Sequence, residues 1–282
     1  MLKILHISDL HFGPFHWDGN DEELIRKINS YDADLVINTG DSTSDGIERE
    51  YLQAKEFLGK IKCRNLISII GNHDKRTRSS VEFFKKYLSN PAVIYPDETE
   101  EIKKKYLYLN DKMQIDEKFT DINFVKRISI RNMQMLIIAL DSTVLYHDIG
   151  MVEENILNRI SKELNNDSCD FRFLLIHHSV LGSDECPLHN SQRVIDFINC
   201  NKIKYIFCGH THENDFRISE DIHNRHKFFQ FMCGATSCND MGISGKNFFI
   251  LYEIGDESIH RINLIKVNNN GIQLSFEEES IM

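Results

Sequence analysis

Short apolar runs recur along this chain, and a polar group closes each of them. Five are Leu2–Ile7, Asp34–Asn38, Leu66–Ile70, Phe171–Ile176 and Tyr205–Cys208. Each is about the length of one buried strand. Between them the pattern switches to helical spacing. Asp21–Asn29 reads as an amphipathic helix with Leu24, Ile25 and Ile28 on one face, and Ile47–Lys60 and Ser80–Leu88 read as further helices. Met135–Ala139 is another strand, ending in Leu140-Asp141-Ser142. Val152–Leu164 and His189–Asn201 again have helical spacing. From Lys227 onward only strands are expected, at Lys227–Cys233, Asn247–Glu253 and Ile259–Val267, as antiparallel neighbours.

The rhythm of strand and helix predicts an α/β fold in one domain over residues 1–267, because no Gly/Ser or Pro linker divides the chain. Residues 268–282 are expected to fray or to add an edge strand. Residues 90–123 break the rhythm. They are polar and mixed in charge, and their apolar cluster is Tyr106-Leu107-Tyr108-Leu109. A structureless stretch of that length is a solvated surface insertion or a lid.

Composition narrows the class. Apolar content of 41% and charged content of 27% over 282 residues are ordinary for a water-soluble globular protein. No apolar run approaches the roughly 20 residues of a membrane span, and the N-terminus lacks the features of a signal peptide. The seven cysteines are scattered, several of them, such as Cys208 and Cys233, in or beside apolar runs. They read as reduced core thiols in a cytoplasmic protein. A net charge of −10 argues mildly against a grip on long nucleic acid, which needs a positive surface.

The polar groups that close the five runs carry the chemistry. They are Asp9-Leu10-His11, Gly40-Asp41, Gly71-Asn72-His73-Asp74, His177-His178 and Gly209-His210-Thr211-His212. At the carboxyl ends of strands they fall where open α/β sheets bind ligands. Asp9 and His11 share a face if the strand continues, as do His210 and His212. Asp41, with two carboxylate oxygens, is the natural bridge between two cations. Asn72 offers a neutral oxygen, and His177, His210 and His212 offer imidazoles. Nitrogen and oxygen donors without thiolate suit two divalent or trivalent ions, Mn, Fe or Zn, better than Mg or Ca. Each motif alone is weak, since Gly-Asp is ordinary turn chemistry. All five together, each after a strand, are specific.

In this order the motifs resemble the calcineurin-like metallophosphoesterase superfamily, with the match running from the first strand to at least Asn239. Within it the chain looks most like the class III cyclic-nucleotide phosphodiesterase group. That likeness rests on His73-Asp74, Leu140-Asp141-Ser142 with Gly150, His177-His178 and Gly234-Ala235-Thr236-Ser237. The resemblance implies a four-layer α/β/β/α sandwich of two mixed sheets. It implies one ion held by Asp9, His11, Asp41 and His212, and a second held by Asp41, Asn72, His177 and His210. His73 would contact the phosphate and protonate the leaving oxygen, a role suited to imidazole near neutral pH. Asp74 would orient His73 or cap a helix. Ser179-Val180 stands where the group often has prolines, which affects the loop through Ser183-Asp184-Glu185.

Arg76, His178, His189 and Asn190 are candidate substrate-binding residues, each with a structural alternative, and Arg78 is a weaker one. Phe12, Phe15, His16 and Trp17 could stack on a nucleobase or simply cover the sheet edge. The expected protein is a cytoplasmic dinuclear phosphodiesterase with a small nucleotide substrate such as a cyclic nucleotide. A homo-oligomer stays open. The rivals are a nuclease on DNA or RNA and a non-catalytic scaffold of the same fold.

Overall fold

The computed structural model describes residues 1–18, 20–89, 93–94, 105–110, 113–117, 122–164, 168–182, 188–255 and 258–281. In chain order the elements are β1 (Leu2–Ile7), α1 (Asp21–Ser30), β2 (Leu35–Asn38), α2 (Glu48–Gly59), β3 (Leu66–Ser68), α3 (Ser80–Tyr87), β4 (Val93–Ile94), β5 (Lys105–Asn110) and β6 (Met113–Glu117). Then follow β7 (Phe124–Ile130), β8 (Met133–Leu140), α4 (Glu154–Leu164), β9 (Phe171–Ile176), α5 (Ser191–Cys200), β10 (Tyr205–Cys208), β11 (Asp215–Asp221), β12 (His226–Met232), β13 (Asn247–Ile254), β14 (Ile259–Asn269) and β15 (Leu274–Ser280).

Two mixed sheets form the centre. One runs β15-β14-β13-β1-β2-β3, with β1, β2 and β3 parallel and the rest antiparallel. The other runs β11-β12-β10-β9-β8-β7-β4, with β8, β9, β10 and β12 parallel. Three apolar clusters give the layers. Leu2, Ile4 and Ile37 of the first sheet meet Phe173, Phe207 and Phe231 of the second. Leu5, Ile7 and Val36 pack outward on α1, α2 and α3 through Leu24, Ile28, Tyr51 and Phe84. Leu136, Leu174 and Ile206 pack on α4 and α5 through Ile156, Ile160, Val194 and Ile198. The result is the α/β/β/α sandwich.

This layering explains the sequence pattern. A central strand covered on both faces has no solvent side, so β1 reads LKILHI rather than alternating. Burying each such aliphatic side chain contributes about 1.5–3 kcal/mol. His6 is the exception that fits. It lies fully buried between the sheets, with its ring nitrogens on Thr39 Oγ1 at 2.9 Å and Tyr252 Oη at 3.2 Å. Helix α1 carries Asp21, Glu22 and Glu23 in its first turn and Lys27 in its last, the charge order the helix dipole favours.

Two expectations change. β12 is not a neighbour of β13: it pairs with β10 and β11 in the second sheet, and only β13 and β14 are antiparallel partners. Within 90–123 the described residues are not structureless, since β4 joins β7 and β5–β6 make an antiparallel hairpin. Residues 90–92, 95–104, 111–112 and 118–121, like Ser183-Asp184-Glu185, lie outside the described residues. Of the two readings of the C-terminal residues, an edge strand forms, β15 on β14. Among the described residues no helix is long and apolar enough to cross a membrane.

Candidate metal centre

Strands β1, β2, β9 and β10 end at one edge, and the side chains that follow them converge there. Backbone bonds between the loops fix their positions: Asp9 N donates to Gly40 O at 3.0 Å, His11 N to Asp41 O at 2.9 Å and Gly209 N to His177 O at 3.1 Å. The strand geometry expected for Asp9 and His11 does not hold. β1 stops at Ile7, and Asp9, His11, Asp41, His210 and His212 all have left-handed backbones, with φ of 53, 50, 48, 81 and 59°. Each such conformation costs an L-residue on the order of 1–2 kcal/mol and persists only where packing over-determines it. Five at one sheet edge single it out as the candidate site. The glycines belong to the same geometry. A Cβ at Gly71 would run into the Asp41 carboxylate, and Gly40 combines φ 105° with close contact to His177.

The donors divide into two ends that share Asp41. At one end His212 Nε2 lies 3.5 Å from Asp9 Oδ1 and 3.1 Å from His11 Nε2, and His11 Nε2 is 3.8 Å from Asp41 Oδ2. At the other, His177 Nε2 is 3.3 Å from Asp41 Oδ2 and 2.8 Å from Asn72 Oδ1, and His210 Nδ1 is 3.0 Å from the same Asn72 oxygen. His210 and His212 therefore do not share a face; they diverge to opposite ends. The rings are aimed from behind. His177 Nδ1 donates to Thr39 O and His212 Nδ1 to Asp240 O, each at 2.7 Å, which turns Nε2 into the site.

Electrostatics follows the same division. Burial lowers a histidine, but the Asp41 carboxylate beside His177 and the Asp9 carboxylate beside His212 more than offset it, and both are pushed up to about 9. Burial prevails for His11, held near 4, and burial with the His177 charge does the same for His210, also near 4. Asp9 and Asp41 stay below the usual carboxylate range, because the histidines outweigh burial. Asp9 Oδ1 is buried and has no hydrogen-bond partner. An unpaired acceptor facing two imidazole nitrogens 3.1 Å apart is a set of donors that fits a cation.

His73 sits at the mouth. Its Nδ1 donates to Ser44 O at 2.7 Å, and Nε2 accepts from Arg76 Nη2 at 3.3 Å. Asp74 does not orient the His73 ring. Its carboxylate is fully buried and accepts from Gly71 N, Ser42 N, Thr43 N and Thr43 Oγ1 at 2.8–3.2 Å, tying the Gly40-Asp41 loop to the Gly71–Asp74 loop. It places His73 through the backbone, as a scaffold rather than as a catalytic group. Arg76 pairs with Asp148. His178 is buried between Ser142 Oγ and Asp148 O. The Asn190 side chain bonds both the N–H and the carbonyl of Val152, at 3.0 and 2.7 Å, which ties it to the start of the segment before α4. His189 is exposed, with its backbone N–H on Gly150 O.

Two residues escaped the sequence reading. Cys238 Sγ lies within 4.8 Å of His11 and His212 donor atoms, so a thiol stands at a site read as nitrogen and oxygen only. Its signal was adjacency to Gly234-Ala235-Thr236-Ser237. Asp148 accepts from Asn72 Nδ2 at 3.0 Å, and no local motif announces it.

A fold of two packed sheets with an Asp/His/Asn cluster at one strand edge defines a phosphoesterase class, and direct comparison agrees. The family model for calcineurin-like phosphoesterases matches residues 2–214, and the chain belongs to that family. It is 23% identical over 230 residues to a probable cyclic nucleotide phosphodiesterase of Xenorhabdus bovienii, covering 75% of this chain and 78% of that one. It is 24% identical over 232 residues to a probable cyclic nucleotide phosphodiesterase of Coxiella burnetii, covering 77% and 78%. Among solved structures it resembles a dimetal phosphatase from Danio rerio, with TM-score 0.57, 10% identity and 98% of both chains covered. It also resembles GAP50, the anchor in the inner membrane complex of Plasmodium, with TM-score 0.56, 12% identity and 100% and 89% covered. These two likenesses show the fold.

Proposed function

We propose that this chain is a dinuclear metal-dependent phosphodiesterase acting on a small nucleotide such as a cyclic nucleotide. The observation that carries the reading is Asp41, shared between a donor group with His11 and His73 and one with His177 and His210. Asp9, His11, Asp41 and His212 would hold one ion, and Asp41, Asn72, His177 and His210 the other. Bound there, Mn, Fe or Zn would supply Lewis acidity to a phosphoryl oxygen and a water of lowered pKa.

The chain's own residues do the rest. The left-handed turns fix the donors before substrate arrives. His73, anchored through Nδ1, presents Nε2 to the leaving oxygen. Arg76 donates to that nitrogen until a phosphate oxygen draws its guanidinium away; Nε2 then takes up a proton from solvent and passes it to the leaving alkoxide. Phe15 is 44% exposed and stands edge-on to His11 and His73 at 6.1 and 5.9 Å, whereas Phe12 and Trp17 are buried. It offers a face for a nucleobase. The names of the two bacterial relatives support the cyclic-nucleotide choice, and the net charge of −10 weighs against long nucleic acid.

The test is Mn²⁺-loaded protein on an aryl diester, an aryl monoester, cyclic mononucleotides, cyclic dinucleotides and single-stranded DNA. Faster cleavage of cyclic nucleotides than of monoester or DNA is expected. Preference for DNA favours the nuclease, and no turnover of any of them favours the scaffold.

A further inference from the structure

Asn72 makes opposite demands at its two amide atoms. Its Oδ1 faces His177 and His210, while its Nδ2 donates to Asp148 Oδ1 at 3.0 Å. Only the oxygen can bind a cation, and a side-chain amide can flip. A carboxylate accepts but never donates, so Asp148 holds the amide with its oxygen inward. Asp148 is itself delivered by a braced loop, residues 141–150. On one side His178 Nε2 donates to Asp148 O at 2.9 Å, and Gly150 leaves room for the His178 ring. On the other side Lys75 donates to Asp141 Oδ2 and Thr143 O, at 3.0 and 2.9 Å, and Tyr146 N donates to Lys75 O at 3.3 Å. Both braces, His178 and Lys75, come from motif segments that carry candidate ligands.

We propose that Asp148 is a positioning residue that fixes Asn72 with its carbonyl oxygen toward the second ion, and that loop 141–150 is held by His178 and Lys75 to place it. The same carboxylate holds Arg76, whose guanidinium reaches His73 Nε2. One residue thus sets a ligand and the neighbour of the proposed acid. The Asp148 side chain is 49% exposed, so its ion pair with Arg76 adds little to stability and its effect should be read at the site. This inference rests on Asn72 being a ligand, as proposed above.

The test is calorimetric titration of the metal-free full chain with Mn²⁺. Wild type should show two binding events. Asp148→Ala should weaken one of them about 10–100-fold, the usual cost of losing an outer partner of a ligand, and leave the other unchanged. Asp148→Asn keeps an oxygen for Asn72 Nδ2 and should stay within a few-fold of wild type, although the charge is gone. In an Asn72→Asp background the two carboxylates would repel, so Asp148→Ala should there strengthen the event rather than weaken it. Unchanged affinities in Asp148→Ala would overturn the proposal. So would an equal loss in Asp148→Asn, which would mean simple charge, or an equal loss in the Asn72→Asp background, which would mean loop collapse. A wild type with fewer than two events removes the dinuclear reading and this inference with it.

Discussion

At the Asn72, His177 and His210 end of the centre the donors already have partners: two rings share the Asn72 oxygen, and Asp148 takes its N–H. At the Asp9, His11 and His212 end, Asp9 Oδ1 and His11 Nδ1 are buried without hydrogen bonds, and the contacts to Asp9 Oδ1 lengthen to 3.5–3.9 Å. Leaving a buried acceptor unpaired costs about 1–3 kcal/mol. A cation at the Asp9 end relieves that cost and displaces one contact, His11 Nε2 to His212 Nε2 at 3.1 Å, whereas one at the Asn72 end must displace two hydrogen bonds to Asn72 Oδ1. Both ends also give up a proton, from His212 and from His177. The difference teaches that the two sites should fill in order, the Asp9 end first.

The largest expected effect comes from removing what the ends share. Asp41→Ala should abolish diester turnover, because two cations without the carboxylate between them repel strongly; activity within tenfold of wild type would break the shared-bridge account. Next comes the mouth. His73→Ala should slow hydrolysis by about 10²–10⁴-fold on a nucleotide, whose alkoxide needs a proton, and by less on an activated aryl diester. Equal losses would assign His73 to phosphate binding instead. Smaller again, Phe15→Ala should raise KM for a cyclic nucleotide by about tenfold, within the roughly 1–3 kcal/mol of one stacked base. Unchanged KM would return Phe15 to the role of cover.

The smallest effect is on stability. In the metal-free chain His177 and His212, raised to about 9 from 6.5, stabilise the fold fully below pH 6.5 and lose that contribution as pH rises through about 9. His11 and His210, lowered to about 4, contribute fully above pH 6.5 and lose it as pH falls toward 4. Thermal unfolding of the metal-free chain should therefore peak near pH 6.5, and saturating Mn²⁺ should flatten the alkaline side. A Tm that climbs steadily from pH 5 to 9 would contradict these assignments.

What could be read in the sequence follows from physical range. Double-sided burial leaves runs such as Leu2–Ile7 and Phe171–Ile176 in plain view. Ligand chemistry demands Asp, His and Asn directly after them. Strand β7 was missed because Lys126 and Arg127 interrupt its apolar residues, and β11 because an edge strand, DFRISED, has little to bury. The shared face of Asp9 and His11 was assumed from strand geometry, and left-handed turns replaced it. For Asp74 the chain order leaves two readings, a partner of His73 or a helix cap, since sequence shows neighbours in the chain but not the Thr43 and Ser42 amides across the loop. Asp148 has no local signal for the same reason, its partner Asn72 being distant in sequence, and Cys238 has only its place next to Gly234-Ala235-Thr236-Ser237.

The central claim is one carboxylate between two separable sites, and metal content measures it most directly. Elemental analysis after Mn²⁺ loading and removal of free ion should give two ions per chain for wild type. His212→Ala and His210→Ala should each give one, lost from opposite ends. A single ion in wild type, or two ions retained in both histidine variants, would contradict the account.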